Sequence, residues 1–562
     1  MNTPYKFRNA LAETVFYSKY AQGQDDSWPN LARRLVEDVC GMTPRSPALM
    51  SKEDRAQLAD YITKMYFLPG GRYLYYAGRD LKAYNNCYLL RAEEDTREEW
   101  AALCERSMSC LMLGGGIGID YSRLRGRGSL LRRTGGVASG PLPLMHSIDS
   151  IGNNVMQGGS RRSAIYASLN WQHADVGEFL TAKNWDTHLV AGAFKTDGTP
   201  FSISDWKQGD FNAHAKLHMT NISVNYDDAW VNQKDRERHP TFITNVEQAM
   251  RTGEPGFSFN FGDKQNETLR NACTEITSAD DSDVCNLGSV NMAAVPDFDT
   301  FKDVVRLASK FLVCGTIRAD LPYDKVYEVR QKNRRLGLGL MGIHEWLMAR
   351  QLPYVVGDEL HRWLKVYEKE SESAANEHCD RLFLSRPVGY RAIAPTGTIG
   401  ILAGTTTGIE PLYAVAYKRR YLRNGDQWHF QYVIDSTAEQ LIQTLGVEPD
   451  SIETAANLAQ DPEKRIAFQA DVQAYVDHAI SSTINLPAWG GEHNNPDSVR
   501  DFARILAKYA PRLRGFTCYP DASRGGQPIV AVPYQEALGH AGAEYREHDV
   551  CEISGKGGVC GV

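Results

Sequence analysis

The sequence has few of the features that mark secreted, membrane-bound or metal-stabilised proteins. Its 11 cysteines are spread over 562 residues, and no C-x2-C pair occurs, so neither a disulfide framework nor a structural zinc site is supported. No apolar run approaches the about 18 residues of a membrane-spanning helix, and the N-terminal stretch MNTPYKFRNALAETVFYSKY lacks the apolar core of a signal peptide. We therefore expect a cytoplasmic protein with no membrane partner and no metal site.

An excess of charge of one sign is also lacking. The formal net charge is −7 and the isoelectric point is near 6.1, which gives no argument for a nucleic-acid partner. No G-x-x-x-x-G-K-[ST] sequence is present, and LGGGIGID at 113–120 does not match G-x-G-x-x-G. A P-loop and a dinucleotide-binding fold are therefore disfavoured.

What the chain does contain is a long alternation of strand and helix patterns. Residues 1–70 repeat apolar residues at helical spacing, whereas 68–78, LPGGRYLYYAG, is predicted as a turn that enters a strand. From there to about residue 535, strand-like runs such as NNCYLLRA alternate with amphipathic helices, which favours an α/β sheet or barrel. The glycine-rich end HDVCEISGKGGVCGV is predicted to be flexible.

The stretch NACTEITSADDSDVCNLGSVN at 271–291 places three chemically active side chains on alternate positions. In an extended segment, Asn271, Cys273 and Glu275 would point to one face, which would gather an amide, a thiol and a carboxyl group. The alternative is that each cysteine is simply a small buried apolar residue. From these residues alone both interpretations stay open.

A second stretch, PTGTIG at 395–400, follows the strand-like run RAIA. A helix that begins there would direct backbone N–H groups and the Thr396 and Thr398 hydroxyls at an anion. A simple strand-to-helix turn explains the same residues equally well.

Taken together, these motifs resemble those of ribonucleotide reductases. The segment Asn271-x-Cys273-x-Glu275, followed by CNLGSVN, resembles the active-site finger loop of that family. The other landmarks occur in the family's order, over about residues 70–562: Asn86-Cys87, GGGIGIDYSRLRGRG, MQGGSRRSA, PTGTIGILAGTTTGIEP and a tail with Cys551 and Cys560.

The resemblance implies an α/β fold, a ten-stranded α/β barrel made of two five-stranded parallel halves around a central finger loop, with a helical N-terminal region. We expect three parts: a helical region at 1–70 without an ATP cone, a catalytic barrel at 71–535 and a flexible redox tail at 536–562. The chain would be a monomer or a homodimer.

The resemblance also implies a role for each finger residue in converting ribonucleotides to deoxyribonucleotides. Cys273 would become a thiyl radical and take the 3′ hydrogen atom of the ribose, Glu275 would act as general base, and Asn271 would hydrogen-bond the ribose hydroxyls. Cys87 and Cys285 would supply two electrons and end as a disulfide. An apolar environment raises the pKa of a carboxyl group, which makes its ionised form a stronger base.

The two tail thiols, Cys551 and Cys560, resemble the dithiol with which family members reduce the active-site disulfide again. Thiol exchange requires in-line attack by a thiolate, which favours a mobile carrier. A thioredoxin- or glutaredoxin-type protein would then be the external reductant. The alternative is an unstructured tail whose cysteines have no role.

Two further groups of residues resemble nucleotide-binding parts of the family. Thr396, Gly397 and Thr398 would bind the substrate phosphates. Arg125 and Arg161 would belong to the loops through which a deoxynucleoside triphosphate effector selects the substrate base, because the arginine fork suits phosphates and base edges. The alternative for each arginine is a solvated surface charge.

The radical source is predicted from LRGFTCYPDASRGGQP at 513–528. Cys518-Tyr519 stands where a tyrosine pair would relay a radical from a separate subunit, and the stretch resembles the adenosylcobalamin-dependent class instead. Adenosylcobalamin is therefore the expected cofactor. The alternatives are a catalytic subunit that receives its radical from a ferritin-like, metal-containing small subunit, and a non-catalytic nucleotide-binding regulator.

Overall fold

The computed structural model describes residues 5–23, 26–44, 46–132, 135–155, 163–209, 215–284, 286–423, 427–521, 523, 529–540 and 543–546. Four residues predicted to have a functional role, Arg161, Cys285, Cys551 and Cys560, lie outside the described residues. Within the described ranges, no helix is long and apolar enough to span a membrane.

Five parallel strands form one half of the central sheet. In chain order they are β1 Cys87–Arg91, β2 Gly116–Asp120, β3 Ile165–Asn170, β4 Thr220–Tyr226 and β5 Gly256–Phe259. Each pairs in parallel with the next. Parallel neighbours need crossover connections, and here these are mostly helical: Arg97–Met112, Leu142–Asn154, Val176–Thr181, Ile203–Gly209, Asp228–Val231 and Pro240–Thr252.

The second half contains β6 Leu287–Asn291, β7 Gly337–Met341, β8 Thr483–Leu486 and β9 Gly515–Pro520. β6 pairs in parallel with β7, and β8 with β9. Between them stands the stretch 391–393, because Leu338 of β7 bridges Arg391 and Ile393 bridges Ile480, both in parallel. This stretch completes five parallel segments.

The two halves meet where β9 pairs antiparallel with β5. The predicted ten-stranded arrangement of two parallel halves is thereby confirmed. Helices of the second half are Phe298–Arg318, Asp324–Asn333, Ile343–Ala349, Asp358–Arg381, Gly397–Ala403, Ser436–Leu445, Ala455–Leu458, Pro462–Gln473 and Val499–Tyr509, and Tyr534–Gly539 follows the last barrel strand.

The N-terminal region is helical, as predicted, with helices Ala10–Lys19, Trp28–Cys40 and Lys52–Thr63. Each begins at a residue whose side chain accepts a backbone N–H of the first turn: Asn9, Ser27 and Ser51. The fully buried Trp28 donates its indole N–H to the carbonyl of Ile62 at 3.1 Å, which joins the second helix to the third.

The prediction for 68–78 was wrong. A strand Phe67–Pro69 comes first and pairs antiparallel with β6, and the helix Gly71–Tyr76 follows. The aromatic residues suggested a strand, but the segment forms a helix that buries Tyr73. Tyr73 is fully buried and its hydroxyl donates to Asn286 beside β6, so tertiary packing outweighs β propensity.

Short sheets stand outside the barrel. A four-stranded sheet contains Ile529–Ala531, Ala416–Arg423, Gln427–Ile434 and Glu544–Arg546 in that order, and a hairpin pairs Leu189–Phe194 with Pro200–Ser202. The strand Asp283–Val284 pairs antiparallel with β1. The strand-and-helix pattern of the sequence did not predict the four-stranded sheet, whose last strand lies inside the segment predicted as a flexible tail.

Candidate active site

The finger loop is a hairpin that enters the space between the two halves. Leu269–Arg270 pairs antiparallel with Thr277–Ser278, and residues 271–276 form the tip. On one side, the Glu275 carbonyl accepts the backbone N–H of Ala479 at 2.7 Å, just before β8. On the other, a Cβ added to Gly118 of β2 would lie 1.7 Å from the Arg270 carbonyl oxygen, so only glycine permits this approach.

The tip is a turn, and not the extended segment in which Asn271, Cys273 and Glu275 would share one face. The N–H of Thr274 donates to the Asn271 carbonyl at 2.9 Å, and Thr274 has a left-handed φ of 71°. Six residues that reverse direction between paired strands cannot stay extended. Non-glycine residues in this region cost ~1–3 kcal/mol and concentrate at functional sites.

A small apolar cluster surrounds the tip, separate from the main core. Its members are Cys87, Leu89, Leu269, Ala272, Ile276, Leu287 and Ala392, with Ala164 and Ala394 packed against it. A Cβ on Gly116 would lie 2.9 Å from the Ala272 Cβ and 3.3 Å from the Cys87 Sγ. The fold therefore brings Cys87, which is about 180 residues earlier in the chain, to the finger tip.

Glu275 is fully buried, and neither carboxylate oxygen has a hydrogen-bond partner among the described residues. Burial, and then the electrostatic influence of the neighbouring Cys87 side chain, raise the pKa of Glu275 to about 8. The Asn271 amide lies near enough to oppose this rise, although its Nδ2 forms no hydrogen bond of acceptable geometry with a described residue. Its Oδ1 accepts the Ile276 N–H at 2.9 Å. Cys273, between them, is half-buried.

A buried network holds the base of the hairpin, and none of its residues was predicted from the sequence. Arg270 donates to the Asn260 Oδ1 at 2.6 Å and to the Glu267 carbonyl at 2.9 Å. The Glu267 carboxylate accepts the Thr277 hydroxyl at 2.7 Å and an Arg514 N–H at 3.0 Å. The pKa of Glu267 lies well below its ordinary value, because nearby arginines outweigh burial. In the sequence, this network is indicated only by Arg270, a charged residue directly before the finger tip.

The predicted phosphate loop does begin a helix, Gly397–Ala403. Thr396 precedes it with a left-handed φ of 49°, and its hydroxyl accepts the Gly408 N–H at 2.9 Å. Ala394, two residues earlier, packs against the cluster that contains Cys87. The loop and the finger therefore adjoin one apolar cluster, and a helix start offers unpaired backbone N–H groups.

Arg125 forms an ion pair with Asp95. Its Nε lies 2.5 Å from the Asp95 Oδ2, which also accepts the Arg125 backbone N–H at 3.0 Å. The loop that follows lines a cavity of about 560 Å³ with Arg127, His146 and Asp175 among its walls. The ion pair with Asp95 gives Arg125 a structural role, and its effector role stays a prediction.

A larger cavity of about 650 Å³ lies beside the helix Gly397–Ala403. The aromatic residues Tyr413, Tyr417 and Tyr519 line it. Next to Tyr519, the Cys518 thiol is buried and donates to the Ala249 carbonyl at 3.3 Å, and burial raises the pKa of this thiol to about 12. In the part of the chain that the structure describes, no group of three His, Cys, Asp or Glu residues is arranged to hold a metal ion.

Comparisons with known proteins agree with this architecture. The family model "Ribonucleotide reductase, barrel domain" matches residues 85–364 and 389–510. A vitamin B12-dependent ribonucleoside-diphosphate reductase of Mycobacterium tuberculosis is 28% identical, over 95% of this chain and 82% of its own. One of the same name from Thermoplasma acidophilum is 26% identical, over 84% of this chain and 66% of its own.

Among solved structures, the class Id ribonucleotide reductase alpha subunit of Actinobacillus ureae superposes with a TM-score of 0.67. It is 17% identical and covers 93% of this chain and 99% of its own, which supports the fold. Since the family model spans most of the chain, and the two five-stranded halves enclose a finger loop, this protein belongs to the ribonucleotide reductase family.

Proposed function

We propose that this chain reduces ribonucleotides to 2′-deoxyribonucleotides by thiol-radical chemistry, with adenosylcobalamin as the source of the radical. One observation carries the proposal: a buried carboxyl group and a thiol from a distant strand meet at the tip of a finger loop that also holds Cys273. The names of the Mycobacterium and Thermoplasma relatives, both vitamin B12-dependent, support the choice of cofactor.

The finger residues divide the reaction between them. Cys273, as a thiyl radical, takes the hydrogen atom from C3′, so that an S–H bond forms as a C–H bond breaks. Glu275 takes the proton of the 3′ hydroxyl, and Asn271 hydrogen-bonds the ribose oxygens. A pKa of about 8 makes the ionised form of Glu275 a stronger base than an ordinary carboxylate, and this form becomes the major one only above about pH 8.

The 2′ hydroxyl leaves as water after it receives a proton from the dithiol. Cys87 and Cys285 then give up two electrons and become a disulfide, and their second hydrogen goes to C2′. Glu275 returns its proton to the 3′ oxygen, and Cys273 returns its hydrogen atom to C3′. The balance is ribonucleotide plus dithiol to deoxyribonucleotide, disulfide and water. Cys551 and Cys560 would reduce this disulfide by thiol exchange, and a thioredoxin- or glutaredoxin-type protein would reduce them in turn.

The residues around the larger cavity fit the adenosyl part of the cofactor. Its volume of about 650 Å³ lies within the range of small-molecule sites, and Tyr413 and Tyr519 offer rings on which an adenine can stack. When bound, adenosylcobalamin supplies a carbon-centred radical by homolysis of its cobalt–carbon bond. Cys518 supports this choice, because a buried thiol stands where a second relay tyrosine would be needed.

The helix start at Gly397–Ala403 would bind the substrate phosphates through Thr396, Gly397 and Thr398. The loops that carry Arg125 and Arg161 would bind a deoxynucleoside triphosphate effector. For Arg125 this requires that the nucleotide either joins or replaces Asp95 as its partner.

The test uses the purified full chain with CDP or CTP, a deoxynucleoside triphosphate, a small dithiol and adenosylcobalamin. We expect deoxycytidine nucleotide to form without any second protein. Cys273→Ala should abolish product, whereas the control Cys104→Ala, which removes another half-buried thiol, should retain it.

Product from Cys273→Ala at the wild-type rate would refute the assigned chemistry. Product that required a ferritin-like, metal-containing protein instead of cobalamin would refute the cofactor and leave the role of Cys273 intact. Nucleotide binding with no product under either condition would favour a non-catalytic regulator.

A further inference from the structure

An arginine of the N-terminal segment reaches the far end of the phosphate-loop helix. The Arg8 Nη1 lies 2.5 Å from the Glu345 Oε1. The other carboxylate oxygen of Glu345 accepts the Thr405 hydroxyl at 2.6 Å, and Thr405 is the second residue after the helix Gly397–Ala403. One carboxylate therefore links the N-terminal segment to the end of this helix.

The aliphatic part of Arg8 packs on the helix end as well. Gly404 ends the helix with a left-handed φ of 66°, and a Cβ there would lie 2.9 Å from the Arg8 Cδ. The side chain of Arg8 is 31% exposed and that of Glu345 is 11% exposed. Partial burial strengthens such a charge-assisted pair relative to one on the open surface.

From Thr405 the connection continues to the start of the same helix. The Thr405 N–H donates to the Gly400 carbonyl at 3.0 Å, and the Gly408 N–H donates to the Thr396 hydroxyl at 2.9 Å. Residues 405–408 thus fold back along the helix. This segment is therefore bonded to the helix at Gly400 and to Thr396 at its start.

The helix depends on such contacts for its position. It has seven residues, and an isolated helix of this length is not stable in water. Its orientation must therefore come from the residues packed around it, and hydrogen bonds from its N–H groups to a ligand weaken steeply when their distance or angle departs from the optimum.

We propose that Arg8 is a positioning residue for the substrate phosphates, which acts through Glu345 and Thr405 on the helix Gly397–Ala403. The inference rests on the proposed function, because it takes this helix as the phosphate site. It assigns a role in substrate affinity to a part of the chain that lies outside the barrel.

The experiment compares Arg8→Ala and Arg8→Lys with Arg34→Ala. Arg34 is a matched control, since it is another N-terminal arginine, 26% exposed, in an ion pair with Asp26 at 2.9 Å. Equilibrium dissociation constants for CDP, CTP and cytidine are measured without cofactor, and KM and kcat are measured with it. Glu345→Gln serves as a second variant that keeps the shape of the link.

We expect Arg8→Ala to weaken CDP and CTP binding and to raise KM by about tenfold, the loss of roughly one charge-assisted hydrogen bond. Its kcat and its affinity for cytidine should stay at the wild-type value, because neither depends on the phosphates. Arg8→Lys should recover part of the lost nucleotide affinity. Glu345→Gln should lose part of the wild-type affinity, and Arg34→Ala should bind nucleotides as the wild type does.

Unchanged nucleotide binding in Arg8→Ala would overturn the proposal, and so would an equal loss in Arg34→Ala, which would indicate general loosening of the N-terminal region. Equal weakening of cytidine binding would also overturn it. Failure of the proposed function is distinguishable, because the wild type would then bind CDP and form no product.

Discussion

Replacement of Glu275 by glutamine tests the electrostatics of the finger tip without any assumption about catalysis. In the folded protein the pKa of Glu275 is raised from 4.5 to about 8, mainly because burial disfavours the charged form. The folded state therefore retains a proton that the unfolded chain releases. The stability that this proton contributes is fully present below pH 4.5, and it is lost as pH rises through about 8.

The magnitude follows from the two pKa values. Between pH 6 and pH 9 the wild type should lose ~3 kcal/mol of unfolding free energy relative to Glu275→Gln, which has no proton to release. For a chain of 562 residues, an unfolding entropy of about 2.1 cal/mol/K per residue converts this into a change of about 2–3 °C in Tm.

The assay is a set of thermal unfolding curves at pH 6 and pH 9 for the wild type, Glu275→Gln and Glu492→Gln. Glu492 is an exposed control on a surface loop. The advantage of Glu275→Gln over the wild type should grow by about 2–3 °C with pH, and that of Glu492→Gln should not. An advantage that is equal at both pH values would show that Glu275 ionises as in water and would refute the argument from burial.

Three other predictions test the finger and the tail. Gly118→Ala should displace the finger and abolish reduction, since its Cβ would lie 1.7 Å from a backbone oxygen. The control Gly515→Ala should retain activity, because its Cβ would lie 3.6 Å from the nearest atom. Equal activity of the two variants would contradict the close approach of the finger to Gly118. If Glu275 is the base, kcat should rise about tenfold per pH unit below about pH 8, and a flat profile would count against it. Serine at Cys551 or Cys560 should block turnover with a thioredoxin-type protein but not with a small dithiol, and equal loss with both would exclude a carrier tail.

Elements with strong local patterns could be predicted from the sequence. The helix Arg97–Met112 and the strand Cys87–Arg91 each show the periodicity or the apolar run that their class requires. The helix start at Gly397 was also predicted, because a proline and two threonines before an apolar run are typical of such a start.

Elements that depend on distant contacts could not be predicted. The stretch 68–78 looks like a strand, but Tyr73 makes it a helix by packing against residues beside β6. The finger tip looks extended, yet pairing of its two flanking strands forces a turn at Thr274. In the first case the conformation depends on residues far away in the chain, and in the second it depends on the pairing that closes the hairpin.

The sequence by itself determined the alternation of strands and helices in the central region, the types of chemical group at the finger tip and the resemblance to ribonucleotide reductases. Only the tertiary structure decided that Cys87 lies beside Glu275, that this carboxyl group is fully buried, and that Arg8 reaches the helix Gly397–Ala403 through Glu345. The reason is physical: periodicity and propensity act over a few residues, whereas burial, pKa and ion pairing depend on groups that the chain brings together across hundreds of residues.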